Sequence, residues 1–305
     1  MDNSQIKKTI TVAIISYERE MILRKAIKSI TEQTKLPDEI LVIDSSRNPY
    51  NPDTLIDKSF GYLLKYIYIK DRQIIPMARN IALKEVTNDI ISYIDDDAIP
   101  KPKFVETIVN SFEKDSKLGC IGGPTIITNE DLIPLEEIIQ DNKKHIKIFP
   151  WGEVRSSASR WIPSREIEVD ALQGANMSFP VNLLKSIGGF DGNYKLPSFR
   201  EETDACLRIQ RQGYQCIYHP DVFVYHIPNL KGGITDFESN QSKYFKLAGQ
   251  NHRYFSDKFF PKWLSRLSWV FWSRNPPSLL YIIYVKIRFN KNFLAWHKGL
   301  WRKLN

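Results

Sequence analysis

The sequence predicts an α/β fold: a mixed, mainly parallel sheet of Rossmann-like character, flanked by helices. Three observations predict it. Apolar runs alternate with helix-period segments through the first 130 residues. The runs are apolar enough to be buried on both faces, as strands of a covered parallel sheet are. Three of them end in polar residues, where such sheets bind ligands.

In order, ITVAIIS (10–16) reads as a buried strand, and residues 20–34 set Ile22, Leu23, Ala26, Ile27 and Ile30 on one helical face. EILVID (39–44) and YLLKYIYI (62–69) are the next strands. PMARNIALKEV (76–86) begins with Pro at a helix entrance and keeps Ala78, Ile81, Ala82 and Val86 together. IISYI (90–94) precedes a helix near 102–114 with Phe104, Val105, Ile108, Val109 and Phe112 inward. Residues 129–170 lack periodicity and read as an irregular excursion. Regular pattern returns with ALQGANMSF (171–179), a short helix at 180–187, a helix at about 200–212, and short strands CIYH (216–219) and VFVYH (222–226). From about 240 the composition changes.

The chain of 305 residues is 42% hydrophobic and 26% charged, as an ordinary folded protein is. Cys120, Cys206 and Cys216 lack the spacing of a zinc site and cannot all pair, so a reduced, cytoplasmic setting is expected. The N-terminus shows no secretory signal. The net charge of +8 is concentrated at one end: residues 256–305 hold ten Lys/Arg and one acid, Asp257, leaving −1 for the rest. The same segment carries Trp263, Trp269, Trp272, Trp296 and Trp301, and Pro276-Pro277 interrupts its apolar stretch. No run of about 18 apolar residues occurs, so this helical aromatic and basic extension is expected to lie on an anionic membrane surface rather than cross it. Core packing of the aromatics with solvated lysines is the competing reading.

The carboxyl-end rule places Ser16, Tyr17 and Glu18, then Asp44, then Asp95, Asp96 and Asp97 at one rim. Three adjacent aspartates repel, and a divalent cation with oxygen ligands, Mn²⁺ or Mg²⁺, would offset that. Asp95 and Asp97 share a face of an extended segment. A solvated loop tip is the alternative. Arg200-Glu201-Glu202-Thr203-Asp204 opens a helix, where carboxylates either favour the dipole or present a general base. His226 closes a strand and completes a metal shell only if the fold returns it to the aspartates. Neither GxGxxG nor a Walker A sequence is present, so a phosphate ligand would need metal and arginine, with Arg72 and Arg79 suitably placed. An acidic site argues against nucleic acid.

Taken together and in order, these pieces resemble the family 2 glycosyltransferases of the GT-A fold, from about residue 10 to 228. The resemblance rests on Ser16-Tyr17-Glu18, Asp44, Ala78-Arg79-Asn80 and Asp95-Asp96-Asp97. It continues through Gly174-Ala175-Asn176-Met177, Gly188-Gly189-Phe190-Asp191, Glu201-Glu202-Thr203-Asp204 with Leu207-Arg208, and Val224-Tyr225-His226. It implies a metal at Asp97, with Asp95 and His226. It also implies a nucleotide against Ser16, Tyr17, Glu18, Asp44, Arg79, Asp95 and Asp96. Gly174, Ala175 and Asn176 would floor the sugar site, beside Glu201. The base would be Glu202, where the family has Asp, with Glu201 as the other candidate.

On this resemblance the catalytic domain spans 1–240, with a nucleotide half at 1–128 and an acceptor half at 129–240, and the extension spans 241–305. It implies inverting transfer from a nucleotide-sugar, UDP-sugar by default, to a glycan or lipid-linked acceptor. The setting would be cytoplasmic and peripheral at the inner face of the membrane. A nucleotidyltransferase, or a non-catalytic module that binds nucleotide or sugar on the same fold, are the alternatives.

Overall fold

The computed structural model describes residues 7–150, 152–228 and 241–262. The chain runs β1 (Ile10–Ser16), α1 (Glu20–Thr31), β2 (Glu39–Asp44), β3 (Leu64–Tyr68), α2 (Ile75–Glu85), β4 (Ile90–Asp95), β5 (Ala98–Pro100) and α3 (Phe104–Lys114). There follow β6 (Leu118–Gly122), β7 (Thr125–Ile127), β8 (Lys147–Ile148), β9 (Val154–Arg155), β10 (Ile167–Glu168) and β11 (Asn176–Pro180). The remainder is α4 (Val181–Ser186), α5 (Glu201–Gln210), β12 (Gln215–Tyr218), β13 (Val224–His226) and α6 (Gln241–Phe259).

Among these residues the main sheet has the order β10-β12-β6-β11-β4-β1-β2-β3. β4, β1, β2 and β3 are mutually parallel, β11 runs antiparallel between β4 and β6, and β12 is parallel to β6. The register sets Ser16 beside Asp44 and Ile15 beside Asp95, so three strands end together. A small sheet, β5-β13-β7, stands at that end and pairs His226 with Ala98.

Alternation along β1 and β2 divides the core between the two faces. Ile10, Val12, Ile14, Ile40 and Val42 meet α1 and α3 through Leu23, Ile27, Phe104 and Val105. Ala13, Leu41 and Ile43 face the other way, onto the cluster that holds Ala78, Ala82, Tyr93, Phe179 and Phe190. Truncating a fully buried aromatic such as Phe104 to alanine would cost about 3–5 kcal/mol.

The expected helices end somewhat earlier, α1 at Thr31 and α5 at Gln210. β5, β6 and β7 were not anticipated. LGCIG, the whole of β6, has small residues of low strand propensity, yet it is a buried inner strand. Among its described residues the excursion at 129–170 contains the short strands β8, β9 and β10, and it is anchored: Trp161 is fully buried, stacks on Tyr218 at 4.6 Å and donates from Nε1 to Asp141 O at 2.9 Å. Helix α6 docks through buried Phe255 and Phe259. Asn251 exchanges two hydrogen bonds with the Lys195 backbone, and Lys258 pairs with Asp191 and Asp204. The tail beyond 262, with its five tryptophans, lies outside the described residues. Among those described, no helix is long and apolar enough to cross a membrane.

Candidate active site

Strand β4 ends at Asp95, and the chain turns through Asp96 and Asp97 into β5. Asp96 and Asp97 are buried, unlike the solvated loop tip that was the alternative to a cation site, so the three charges need partners. Ser16 Oγ donates to Asp96 Oδ2 at 2.8 Å. Arg19 pairs with Asp96 at 3.3 Å and with Asp97. β13 brings His226 Nε2 to 3.0 Å from Asp97 Oδ1 and 4.0 Å from Asp95 Oδ2, and Ile227 N–H donates to Asp97 O at 3.0 Å.

Burial and the neighbouring Asp97 push the Asp96 carboxyl up to about 7. Burial would also raise Asp97, but His226 and Arg19 hold it below the usual carboxylate range. Burial lowers His226, but the charges of Asp97 and Asp95 outweigh that and lift it to about 9.

Ligand atoms of Asp95, Asp97 and His226 all lie within 4.8 Å of one another. Asp97 Oδ1 is buried, with the His226 imidazole against it. Two carboxylates and an imidazole with their ligand atoms this close suit a divalent cation such as Mn²⁺.

Arg79, on α2, is buried rather than a surface arginine. Its Nη2 lies 3.7 Å from Asp95 Oδ1 and donates to Gly174 O at 2.9 Å, and its Nη1 pairs with Glu201. A Cβ on Gly174 would stand 2.7 Å from Nη2, so only glycine admits the guanidinium this closely. One side chain thus connects the end of β4, the loop before β11 and the start of α5.

The next residue of the motif, Asn80, donates to Phe190 O and accepts from Phe190 N–H, fastening the Gly188–Asp191 turn. Glu201 is occupied by Arg79, whereas Glu202 is half-buried. Burial pushes the Glu202 carboxyl up, opposed by Arg200 and Arg79. The loop before α5 passes through left-handed conformations at Ser198 (φ 60°) and Arg200 (φ 83°), strain of a kind that concentrates at functional sites.

On the far side of the rim, Arg72 lies 4.1 Å over the Tyr17 ring. Glu18 N–H donates to Ser46 Oγ, and its Oε1 accepts from Arg47 N–H. Asp44 is fully buried and accepts from Ser46 N–H at 2.8 Å and Tyr66 O–H at 2.6 Å, so its oxygens are engaged by the protein itself. Burial, with Asp44 beside it, pushes the Tyr66 hydroxyl well up.

Ala175 is buried, and Asn176 donates from Nδ2 to Val222 O at 2.7 Å and Gly123 O at 3.2 Å, joining three segments of chain. Arg19 and Tyr66 belong to the site but carried no sequence signal beyond Arg19's position after a strand that ends near acids. The three cysteines, which showed no metal-site spacing, converge in the core: their sulfurs lie within 4.8 Å of one another.

The matches to known proteins agree with this geometry. Residues 11–153 match the family model described as glycosyl transferase family 2, and residues 90–302 match glycosyl transferase family group 2. The chain belongs to glycosyl transferase family 2, and is a glycosyltransferase of GT-A fold.

It is similar to the glucosyl-dolichyl phosphate glucuronosyltransferase of Haloferax volcanii, 24% identical over 233 residues that cover 72% of this chain and 69% of that protein. Its fold is similar to that of GalNAc-T7, solved with UDP, GalNAc and Mn²⁺, at TM-score 0.60 and 18% identity, covering 73% of this chain and 44% of that one. It is also similar to the mannosyltransferase PcManGT of Pyrobaculum calidifontis, solved in complex with GDP-Man and Mn²⁺, at TM-score 0.56 and 16% identity, covering 96% of this chain and 84% of that one.

Proposed function

We propose that this glycosyltransferase moves a sugar from a nucleoside-diphosphate donor, a UDP-sugar by default, to the hydroxyl of a lipid-linked or glycan acceptor, with inversion. The observation that carries the reading is Arg79: one buried guanidinium lies against Asp95 on one side and the Glu201-Glu202 pair on the other. Cation site and candidate base are thereby held on one support.

In this reading Asp97, Asp95 and His226 hold Mn²⁺ or Mg²⁺. A divalent cation bound there would offset the charge that develops on the leaving diphosphate. Ser16, Tyr17, Glu18, Asp44 and Asp96 shape the nucleotide side, with Asp44 fixing the loop rather than offering free oxygens. Gly174, Ala175 and Asn176 floor the sugar site by backbone and shape. Glu202, its affinity for protons raised by burial, accepts the proton of the acceptor hydroxyl while Glu201 stays paired with Arg79. Attack from the face opposite the diphosphate inverts the anomeric carbon.

We read 1–128 as the nucleotide half, 129–240 as the acceptor half and 241–305 as an extension whose basic, aromatic end rests on an anionic membrane, in a cytoplasmic setting. The dolichyl-phosphate relative supports a lipid-linked acceptor.

Calorimetric titration with UDP, dTDP and GDP, each with Mn²⁺ or EDTA, tests the donor site in wild type and Asp97→Ala. Metal-dependent binding of one nucleotide, lost in the variant, supports the reading. Absence of nucleotide binding under every condition would overturn it.

A further inference from the structure

Behind the acidic rim the fold collects all three cysteines of the chain. Cys120 in β6 and Cys216 in β12 are register partners on adjacent parallel strands, and Cys206 reaches them from α5. All three are fully buried and none is in a disulfide. A buried thiol often packs as a small apolar group, and alanine or valine would serve that purpose equally. Here the three sulfurs lie within 4.8 Å of one another, gathered at one point from two strands and a helix.

We propose that Cys120, Cys206 and Cys216 form a three-sulfur site for a soft monovalent cation, Cu⁺, which fastens α5 to β6 and β12. Thiolates select soft ions, whereas the carboxylates and imidazole at the rim suit harder ones. Among the described residues, no His, Asp or Glu joins the cysteine group, which leaves it short of the four ligands of a structural zinc site. With metal–sulfur bonds of about 2.3 Å, three sulfurs around one ion sit roughly 4 Å apart, so the present separations of up to 4.8 Å need only a small contraction. Each sulfur that binds exchanges its proton for a metal–sulfur bond, and the proton leaves to solvent. Because the site is closed, it loads as the chain folds. Cys206 stands one turn along α5 from Glu202, so the ion would fix the helix that carries the candidate base.

The test is anaerobic refolding of the full chain with Cu⁺ buffered by a weak chelator, then desalting, metal analysis and ultraviolet absorption. Wild type and Asp97→Ala are expected to retain stoichiometric copper, show a thiolate-to-copper charge-transfer band and melt at higher temperature than copper-free protein. Cys206→Ser and the more conservative Cys206→Ala should lose all three, and far-ultraviolet circular dichroism with a cooperative melt reports whether each variant has folded. Copper retention by wild type no greater than by a folded Cys206→Ala would overturn the proposal. Retention of zinc in place of copper would overturn the three-coordinate assignment.

Discussion

Arg19 and His226 share one carboxylate: the guanidinium bonds to Asp97 Oδ2, and the imidazole faces Oδ1 at 3.0 Å. Two cations of the protein itself therefore stand where a divalent ion would draw on the same oxygens. Replacing Arg19 by Gln leaves the buried Asp96 and Asp97 short of counter-charge, and should cost about 3 kcal/mol of stability in EDTA. The same change removes a competitor for Asp97. The gap in melting temperature between Mn²⁺ and EDTA should widen in Arg19→Gln, and an unchanged gap would show that Arg19 does not compete.

Arg79 and Glu201 form a pair in which both side chains are 3% exposed. Removing one partner strands the other, so Arg79→Met should lower stability by about 3–5 kcal/mol. The double variant Arg79→Met with Glu201→Met should recover part of that loss, because no buried charge remains unpaired. Urea midpoints of the two single variants and the double variant measure the coupling.

Glu202→Gln should lower turnover by roughly 10²–10⁴-fold and leave the nucleotide dissociation constant unchanged. A protonated Glu202 cannot accept a proton, and burial raises its pKa above the ordinary 4.5. The acid limb of the kcat profile should therefore lie above that of an exposed glutamate, with activity lost as pH falls through it. A profile flat down to pH 4.5 in wild type would remove Glu202 from the role.

Asp191 ties α6 to the body through Lys258 at 2.7 Å and Tyr254 at 2.8 Å. Burial works against its charge, but Lys258, the Asn193 N–H and Tyr254 hold the carboxyl down to about 2, from 3.8. A depressed acid adds stability above its unfolded pKa and loses it as pH falls toward the folded one. The contribution, on the order of 1 kcal/mol after solvent screening, should be intact at pH 6 and fade between about pH 4 and 2. Asp191→Asn should be less stable than wild type at pH 6, and the difference should close toward pH 2 in denaturant titrations.

Much of this site was legible in the sequence because its parts are local. Strands β1, β2 and β4 are mainly apolar runs with polar carboxyl ends, and the spacing of Asp95 and Asp97 puts two carboxylates on one face. The remainder depends on contacts distant in the chain. β6 escapes a propensity reading because its glycines answer to neighbours: a Cβ on Gly119 would meet Ile209 at 2.4 Å, and one on Gly122 would meet Asn176 O at 2.4 Å. The convergence of the cysteines follows from the β6–β12 register, which no local pattern encodes. The engagement of Asp44 by Tyr66 likewise needs β2 and β3 side by side.

The hydrogen bond from Asn176 to Gly123 O closes a path of 53 residues upon itself. The excursion leaves the sheet after β6, touches its edge at β10 and re-enters the interior at β11, the immediate neighbour of β6. Its two ends are therefore fixed points on one framework, whatever the chain does between them. Lengthening, shortening or replacing the intervening loops alters no strand pairing of β4, β1 and β2. Selection can thus rework the surface formed by 129–170 without disturbing the aspartates, much as an exchangeable nose-piece is fitted to an unchanged instrument.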